Sequence, residues 1–423
     1  MKKIIACSMA ILLTLSLTAC GSGNAPASEP SESQSVSSSA SAQEEKPAEK
    51  IKVRFAAQGD STPATQTLID AFNDSQDKYE AEWLDMTNDS GAMRDQLTTT
   101  LKSGSAEYDV LSLDVVWAGE FAAAGYIEPI DSYLKDSKLS IRDFNAGSMA
   151  SGSYNAKQYV LPFFPDLGVL YFRKDIVSAD DAAKLESGDY TYTDLLAMAE
   201  KYQGEGGTKD GFVYQSALYE GLICNANEFT NNWNDLEAGL QTMKAAAESK
   251  ATPENILNYT EGETANSFIK GESIFSRNWP YQWGAIKSEG TIKNEQVGIA
   301  PLPNGGSVGG WLLAINKNSQ NKEGAWELMK FIATMDGQKI MSIQGGYLPG
   351  YNAALKDSEV LAANEMLNMP GFNKALTKTI ARPVSSEYAK LSDELQQNIH
   401  KYLSGSQSIE DTVAAVSEAL NAK

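Results

Sequence analysis

The chain is poor in the side chains from which most metal and nucleophilic centres are built. Its 423 residues include three cysteines and a single histidine, His400, with no CxxC pair. Zinc clusters of Cys and His, and Cys–His or Ser–His nucleophile pairs, therefore lack material, and no cofactor or metal is implied. Basic charge is also scarce. Lys and Arg number 35 against 55 Asp and Glu, a formal charge of −20. Nucleic-acid binding needs clustered Lys and Arg against phosphate, so this balance argues against it. Acidity by itself describes a well-solvated surface. The apolar run at the N-terminus, Ile4 to Leu17, falls short of the ~20 residues that span a bilayer comfortably. No internal repeat is visible.

What that N-terminal run carries is an export signature, a charged start (Lys2, Lys3) before a short apolar core. At its end, Leu17-Thr18-Ala19-Cys20-Gly21 resembles a bacterial lipobox, in which the cysteine is acylated and the chain is cut just before it. The plainer reading is an ordinary signal peptide that contains a cysteine. Gly21 to Lys50 is rich in Ser, Ala, Glu and Pro, with almost no large apolar residue. Such a stretch cannot bury enough surface to offset its ordering entropy and reads as a tether. The expectation is a signal peptide over 1–19, then a lipidated Cys20 and linker over 20–50, holding the body at the outer face of the cell membrane. Two acyl chains suffice for stable anchoring. With Cys7 removed in the signal and Cys20 acylated, Cys224 has no partner for an intrachain disulfide.

The body, 51–423, suits two domains by its length. Ile51 to Ala56 alternates apolar and polar as a strand and meets a loop at Gln58-Gly59-Asp60. Pro63 opens a helix with Leu68, Ile69 and Phe72 on one face. A strand at 79–84, a helix at 93–102 and a strand at 108–113 follow, with Asp114 at the last strand's C-terminal end. This β-α-β-α-β order predicts a mostly parallel sheet covered by helices, with ligands bound beyond the strands' C-terminal ends. Gln58, Asp60 and Asp114 fall there, although Asp114 reads equally as a helix cap. Further on, strands are predicted at 158–162 and 169–172, flanking Phe163-Phe164-Pro165-Asp166, and at 271–276, 297–303 and 309–315. Helices are predicted at 193–203, 233–249, 322–334 and from 385 onward.

Four aromatic groups sit at predicted strand ends: Phe163 with Phe164, Trp279 with Tyr281, Trp311, and Tyr347. Aromatic residues usually pack in cores. These lie beside Pro, Gly and Asn, the residues of turns. Aromatics near the surface among Asp, Glu, Asn and Arg suit a pyranose, whose C–H face stacks on a ring and whose hydroxyl rim needs paired donors and acceptors. A buried polar partner left unpaired costs about 1–3 kcal/mol, which is how such a site discriminates.

Several strings together resemble the family 1 extracellular solute-binding proteins of sugar ABC importers, in particular the trehalose/maltose-binding branch. In order they are Asp109 to Trp117, Gly125 to Ile130, Leu161 to Asp175, Tyr219 to Cys224, Arg277 to Tyr281, Gly309 to Trp311, and Ala381 to Val384 with Tyr388, Leu391 and Ser392. The resemblance implies a two-lobed, periplasmic-binding-protein-like α/β fold of the second type, each lobe a mostly parallel sheet flanked by helices, with the ligand in the cleft between lobes. Boundaries are expected at 51–161 plus 298–350 for the N-terminal lobe and 162–297 plus 351–423 for the C-terminal lobe. It implies roles as well. Asp114 would bond sugar hydroxyls, Phe164 would lie against the sugar, and Asp166 would supply a carboxylate. Trp279 with Tyr281 beside it, and Trp311, would stack. Gly310 would offer a backbone contact and Arg382 would reach hydroxyls, while Glu220 is as apt to hold the fold as the ligand.

Two positions depart from the family pattern. The aromatic at 164 is Phe rather than Tyr, which removes one hydroxyl bond. The loop after the first strand offers both Gln58 and Asp60. The resemblance implies a monomeric, non-enzymatic receptor that closes on a sugar and docks on an ABC permease. Two other classes stay open: a carbohydrate enzyme using Asp114 and Asp166 as its carboxyl pair, and a binder of a non-sugar solute such as a polyamine.

Overall fold

The computed structural model describes residues 49–421 except Val384 and Ser386; the expected signal peptide, Cys20 and nearly all of the linker lie outside the described residues. No helix among the described residues is long and apolar enough to cross a membrane.

The first half forms as its periodicity predicts. Strand β1 (Ile51–Gln58) pairs in parallel with β2 (Tyr79–Met86) and with β3 (Val110–Asp114). The helix Ala64–Ser75 between β1 and β2 buries Leu68, Ile69 and Phe72. The helix Ser90–Lys102 starts where the Asp89 carboxylate accepts the Ala92 N–H at 2.9 Å. Alternation along β1 sends Val53, Phe55 and Ala57 into one apolar cluster and Ala56 into another, so both faces of the sheet are covered.

A short hairpin of β4 (Ser153–Tyr154) and β5 (Lys157–Gln158) leads into β6 (Val160–Leu167), and β7 (Val169–Arg173) follows after one residue. Here the structure corrects the sequence. Phe163 to Asp166 is not a loop between two strands but the body of β6. That strand pairs on one side with β11 (Gly306–Ile315). Pro162 and Pro165 cannot donate to a ladder, and a strand of this kind tolerates them.

The second sheet has the order β10-β7-β9-β8, with β8 at Asp210–Val213, β9 at Ser273–Asn278 and β10 at Val297–Ala300. Its β7 alternates Val169 and Tyr171 into one cluster and Leu170 and Phe172 into another. The first sheet is completed by β11, antiparallel to β3 and β6, and by β12 (Thr379–Ile380), parallel to the start of β11. The α/β architecture holds, but both sheets are mixed rather than mostly parallel. In the second, β7 runs antiparallel to both of its neighbours.

The chain passes from the first sheet to the second at Gly168 and returns between Ala300 and Gly306. The expected boundaries at 161/162 and 297/298 therefore fall inside β6 and at the start of β10. After β12, the helices Tyr388–Leu403 and Ile409–Asn421 pack on the second sheet's side, with Leu395, Ile399 and Val416 in its core cluster.

Candidate ligand-binding cleft

Sheet register assembles the floor of the site. In β11, Trp311 is paired with Asp114 of β3 on one side and with Phe164 of β6 on the other. One residue back, Gly310 faces Pro165, and Gly309 faces Asp166. Residues scattered from 114 to 311 thus become neighbours, because directly opposed residues lie only about 5 Å apart. Gly310 holds a φ of +122°, and a Cβ there would come within 2.7 Å of the Phe164 carbonyl oxygen. Only glycine fits. Its own carbonyl accepts the Val115 N–H at 3.1 Å.

Above this floor is a cavity of about 550 Å³ lined by residues of both sheets, within the range of small-molecule sites. Every residue that the sequence offered as a ligand contact lines it: Gln58, Asp60, Asp114, Phe164, Asp166, Glu220, Trp279, Tyr281, Gly310, Trp311 and Arg382. Phe163 and Tyr347 line it as well. His400 does not; its Nε2 lies 3.3 Å from the Leu257 carbonyl.

The polar groups divide into those already bonded and those left over. Asp60 is consumed. Its Oδ1 accepts from Thr62 N and Oγ1 at 2.8 and 2.7 Å and from the Tyr347 hydroxyl at 2.9 Å, while Oδ2 accepts from Thr65 N and Oγ1 at 3.0 and 2.7 Å. It secures the first turn of the Ala64–Ser75 helix. The Gln58 amide oxygen accepts from Ser112 Oγ at 3.4 Å, and its amide nitrogen has no partner among the described residues. Asp114 does not cap the next helix, which starts at Ala118. Instead it accepts the Val116 N–H at 3.2 Å and two Arg382 bonds, from Nη2 at 2.5 Å and from Nη1 at 3.2 Å.

Arg382 in turn donates to Glu220 Oε1 at 3.0 Å and, through Nε, to the Val308 carbonyl at 3.2 Å. Glu220 also accepts the Tyr388 hydroxyl at 2.5 Å and Ser392 Oγ at 2.6 Å. Arg382 is thus nearly saturated by protein groups, with one Nη2 hydrogen left over. Burial pushes the Glu220 carboxyl above the usual range, although Arg382, Ser392 and Tyr388 oppose that and Asp114 adds to it.

Asp166 differs from these. Its Oδ1 accepts only the Leu167 N–H at 3.1 Å, and Oδ2 has no partner among the described residues. Burial pushes its carboxyl well above the ordinary range; Arg277 pulls the other way, and Glu261 and Asp114 add to the rise. Burial also holds the Tyr219, Tyr281 and Tyr347 hydroxyls in their neutral form.

Sequence reasoning missed Glu261, Tyr219, Leu218 and the rim from Thr87 to Ser90, all of which line the cavity. Glu261 accepts the Trp279 indole N–H at 3.2 Å and the Tyr219 hydroxyl at 2.6 Å. A signal existed. Thr260 and Glu263 form a capping box that opens the helix Glu261–Ile269, which would have placed Glu261 in a first helical turn.

A model of the bacterial extracellular solute-binding proteins matches residues 56–339. A probable ABC transporter-binding protein of Deinococcus radiodurans is 29% identical over 341 residues, 72% of this chain and 77% of that protein. A maltotriose-binding protein of Pyrococcus abyssi is 26% identical over 306 residues, 68% of this chain and 64% of that one. Among solved structures, the maltose-bound MalE3 of T. maritima superposes with a TM-score of 0.78 at 29% identity, over 88% of this chain and 99% of its own. The family match extends over more than half of the sequence and takes in most of the cleft-lining residues. The chain belongs to the bacterial extracellular solute-binding proteins, and it is a binding protein rather than an enzyme.

Proposed function

We propose that the cleft binds a sugar, an α-linked disaccharide such as maltose or trehalose or a short oligosaccharide, and that the chain delivers it to a membrane ABC importer. One observation carries this reading. Trp311 from the first sheet and Trp279 at the end of a second-sheet strand, both partly exposed, share one cavity with a carboxylate and an amide that have bonds to spare. Rings to stack on and unpaired hydroxyl partners are what a pyranose requires. The maltotriose-binding and maltose-bound relatives point the same way. Asp166 and Gln58 supply free acceptors and donors, Trp279, Trp311 and Phe164 supply rings, and Arg382 and Glu220 hold Asp114 in place. Ligand then favours closure of the lobes about the crossings at Gly168 and 301–305.

A thermal-shift screen against trehalose, maltose, sucrose and maltotriose tests this. A sugar at 100 times its Kd stabilises by about 2.7 kcal/mol, a rise of the melting midpoint that the screen resolves. A second reading, a cationic solute, rests on one feature: Asp166 and Glu261 face the cavity with no cation bonded to them among the described residues, and Arg382 is already paired. Spermidine therefore belongs in the same screen. A shift with spermidine and none with any sugar would overturn the proposal.

The lipid anchor at Cys20, and with it a place at the outer membrane face, is part of the proposal. It is supported by the Leu17–Gly21 string and the tether after it. Cys20→Ala is expected to move the protein from the membrane fraction to the soluble fraction. Continued membrane attachment would remove the anchor and leave the cleft untouched.

A further inference from the structure

The Arg277-Asn278-Trp279 step carries the chain from a buried strand to the cleft. Trp279 borders the cavity, whereas the Arg277 side chain is 1% exposed. The Arg277 guanidinium carbon lies 4.1 Å from the centroid of the Trp279 ring, so a charged plate covers the indole from the protein side. The ring is held elsewhere too: its N–H donates to Glu261, and a Cβ at Gly309 would approach its edge to 2.9 Å.

The plate itself is fixed. Nε donates to Glu228 Oε2 at 2.9 Å, Nη2 donates to Glu228 Oε1, and Nη1 donates to Gln215 Oε1 at 3.1 Å. Glu228 is 0% exposed and also takes the Ser307 backbone N–H at 2.8 Å. At Gly168 an added Cβ would lie 2.3 Å from Glu228 Oε1 and 2.6 Å from Arg277 Nη2. Gly168 stands where the chain leaves the first sheet, and Ser307 is the second residue of β11, just after it returns. A buried ion pair is a poor stabiliser compared with apolar residues of the same volume, so its presence here calls for a role in geometry.

We infer that Arg277, held by Glu228, is a positioning residue for ligand binding: it sets the plane of Trp279, leaves the opposite ring face for the solute, and ties that plane to both crossing strands. Lysine cannot take its place, because only a planar guanidinium lies flat on a ring while bonding a carboxylate through two nitrogens. This inference rests on the reading that Trp279 stacks on the ligand.

The test is a double-mutant cycle with maltotriose as probe. Arg277→Lys, shown to be folded by far-UV circular dichroism, is expected to weaken binding by roughly tenfold in calorimetry, the scale of a desolvated cation–ring contact. In a Trp279→Phe background the same change is expected to cost much less. Without ligand, Arg277→Lys is expected to alter the part of the near-UV spectrum that Trp279→Phe removes. If Arg277→Lys does not fold, Glu228→Gln, which keeps shape and loses charge, enters the cycle instead. Equal losses in both backgrounds, or an unaltered Trp279 spectrum, would overturn the inference. If the wild type binds no sugar, the proposed function falls, and the ligand-free spectra still decide the positioning of Trp279.

Discussion

Replacing Trp311 with alanine is expected to weaken sugar binding about 30- to 1,000-fold, the ~2–4 kcal/mol typical of a central aromatic anchor, while the protein remains folded. The pairing of the strand does not depend on the indole. The β11 backbone at this position is paired on both sides, with Asp114 and Phe164, and those ladders are made by main-chain groups. The side chain is partly exposed, and its main aromatic contact is an edge-on packing against Trp117 at 5.4 Å and 89°. Losing that contact costs roughly 0.5–1.5 kcal/mol beyond area burial, a small share of a domain's stability. Affinity should therefore fall far more than the melting midpoint. Calorimetry with the sugar that gives the largest thermal shift, set beside the melting curve, checks both halves. Unchanged affinity would remove Trp311 from the site.

The parts that could be read from the sequence share one property: their information is local. The helix Ala64–Ser75 shows its apolar face at a 3.6-residue period, β1 and β2 show theirs at two, and β3 is a short apolar run. The cleft aromatics betrayed themselves by standing next to turn residues. What was hidden depends on contacts made far along the chain. The helix Glu220–Phe229 is buried on every face beyond its first residue, so it has no polar side to reveal a period. Pro162 to Asp166 carries two prolines and imitates a turn, yet it is one strand because β11 lies alongside it. Arg382 was expected to reach for hydroxyls. Its actual partners, Asp114 and Glu220, are 268 and 162 residues away. Glu228 and Arg277, 49 residues apart, carried no motif that would have paired them.

Asp166→Asn is expected to move stability and affinity in opposite directions. The carboxyl is half-buried in the cavity wall, has a single backbone donor, and is held well above the ordinary aspartate value of about 3.9. The sign follows from linkage. A group with a raised native value binds its proton more tightly when folded. Its stabilising contribution is therefore full below the unfolded value and is lost as pH rises through the native one. Above the ordinary aspartate value the ligand-free protein must either keep a proton that the unfolded chain gives up or hold a poorly compensated charge, with Glu261 and Asp114 raising the cost and Arg277 only partly relieving it. Asparagine keeps the shape without the charge. The variant should melt higher than wild type at neutral pH, and the difference should shrink on acidification toward the ordinary aspartate value. Sugar binding should change the other way. An ionised carboxylate accepts hydroxyl hydrogen bonds that are worth about 1.5–3 kcal/mol when one partner is charged, against about 1 kcal/mol for a neutral amide. Wild-type affinity should thus rise with pH as Asp166 ionises, whereas the asparagine variant should bind more weakly and lose most of that pH dependence. Melting curves and calorimetry on both proteins across the acid-to-neutral range measure each arm. A variant that is no more stable at neutral pH, yet binds sugar as wild type does at every pH, would show that Asp166 neither holds an unfavourable charge nor touches the solute.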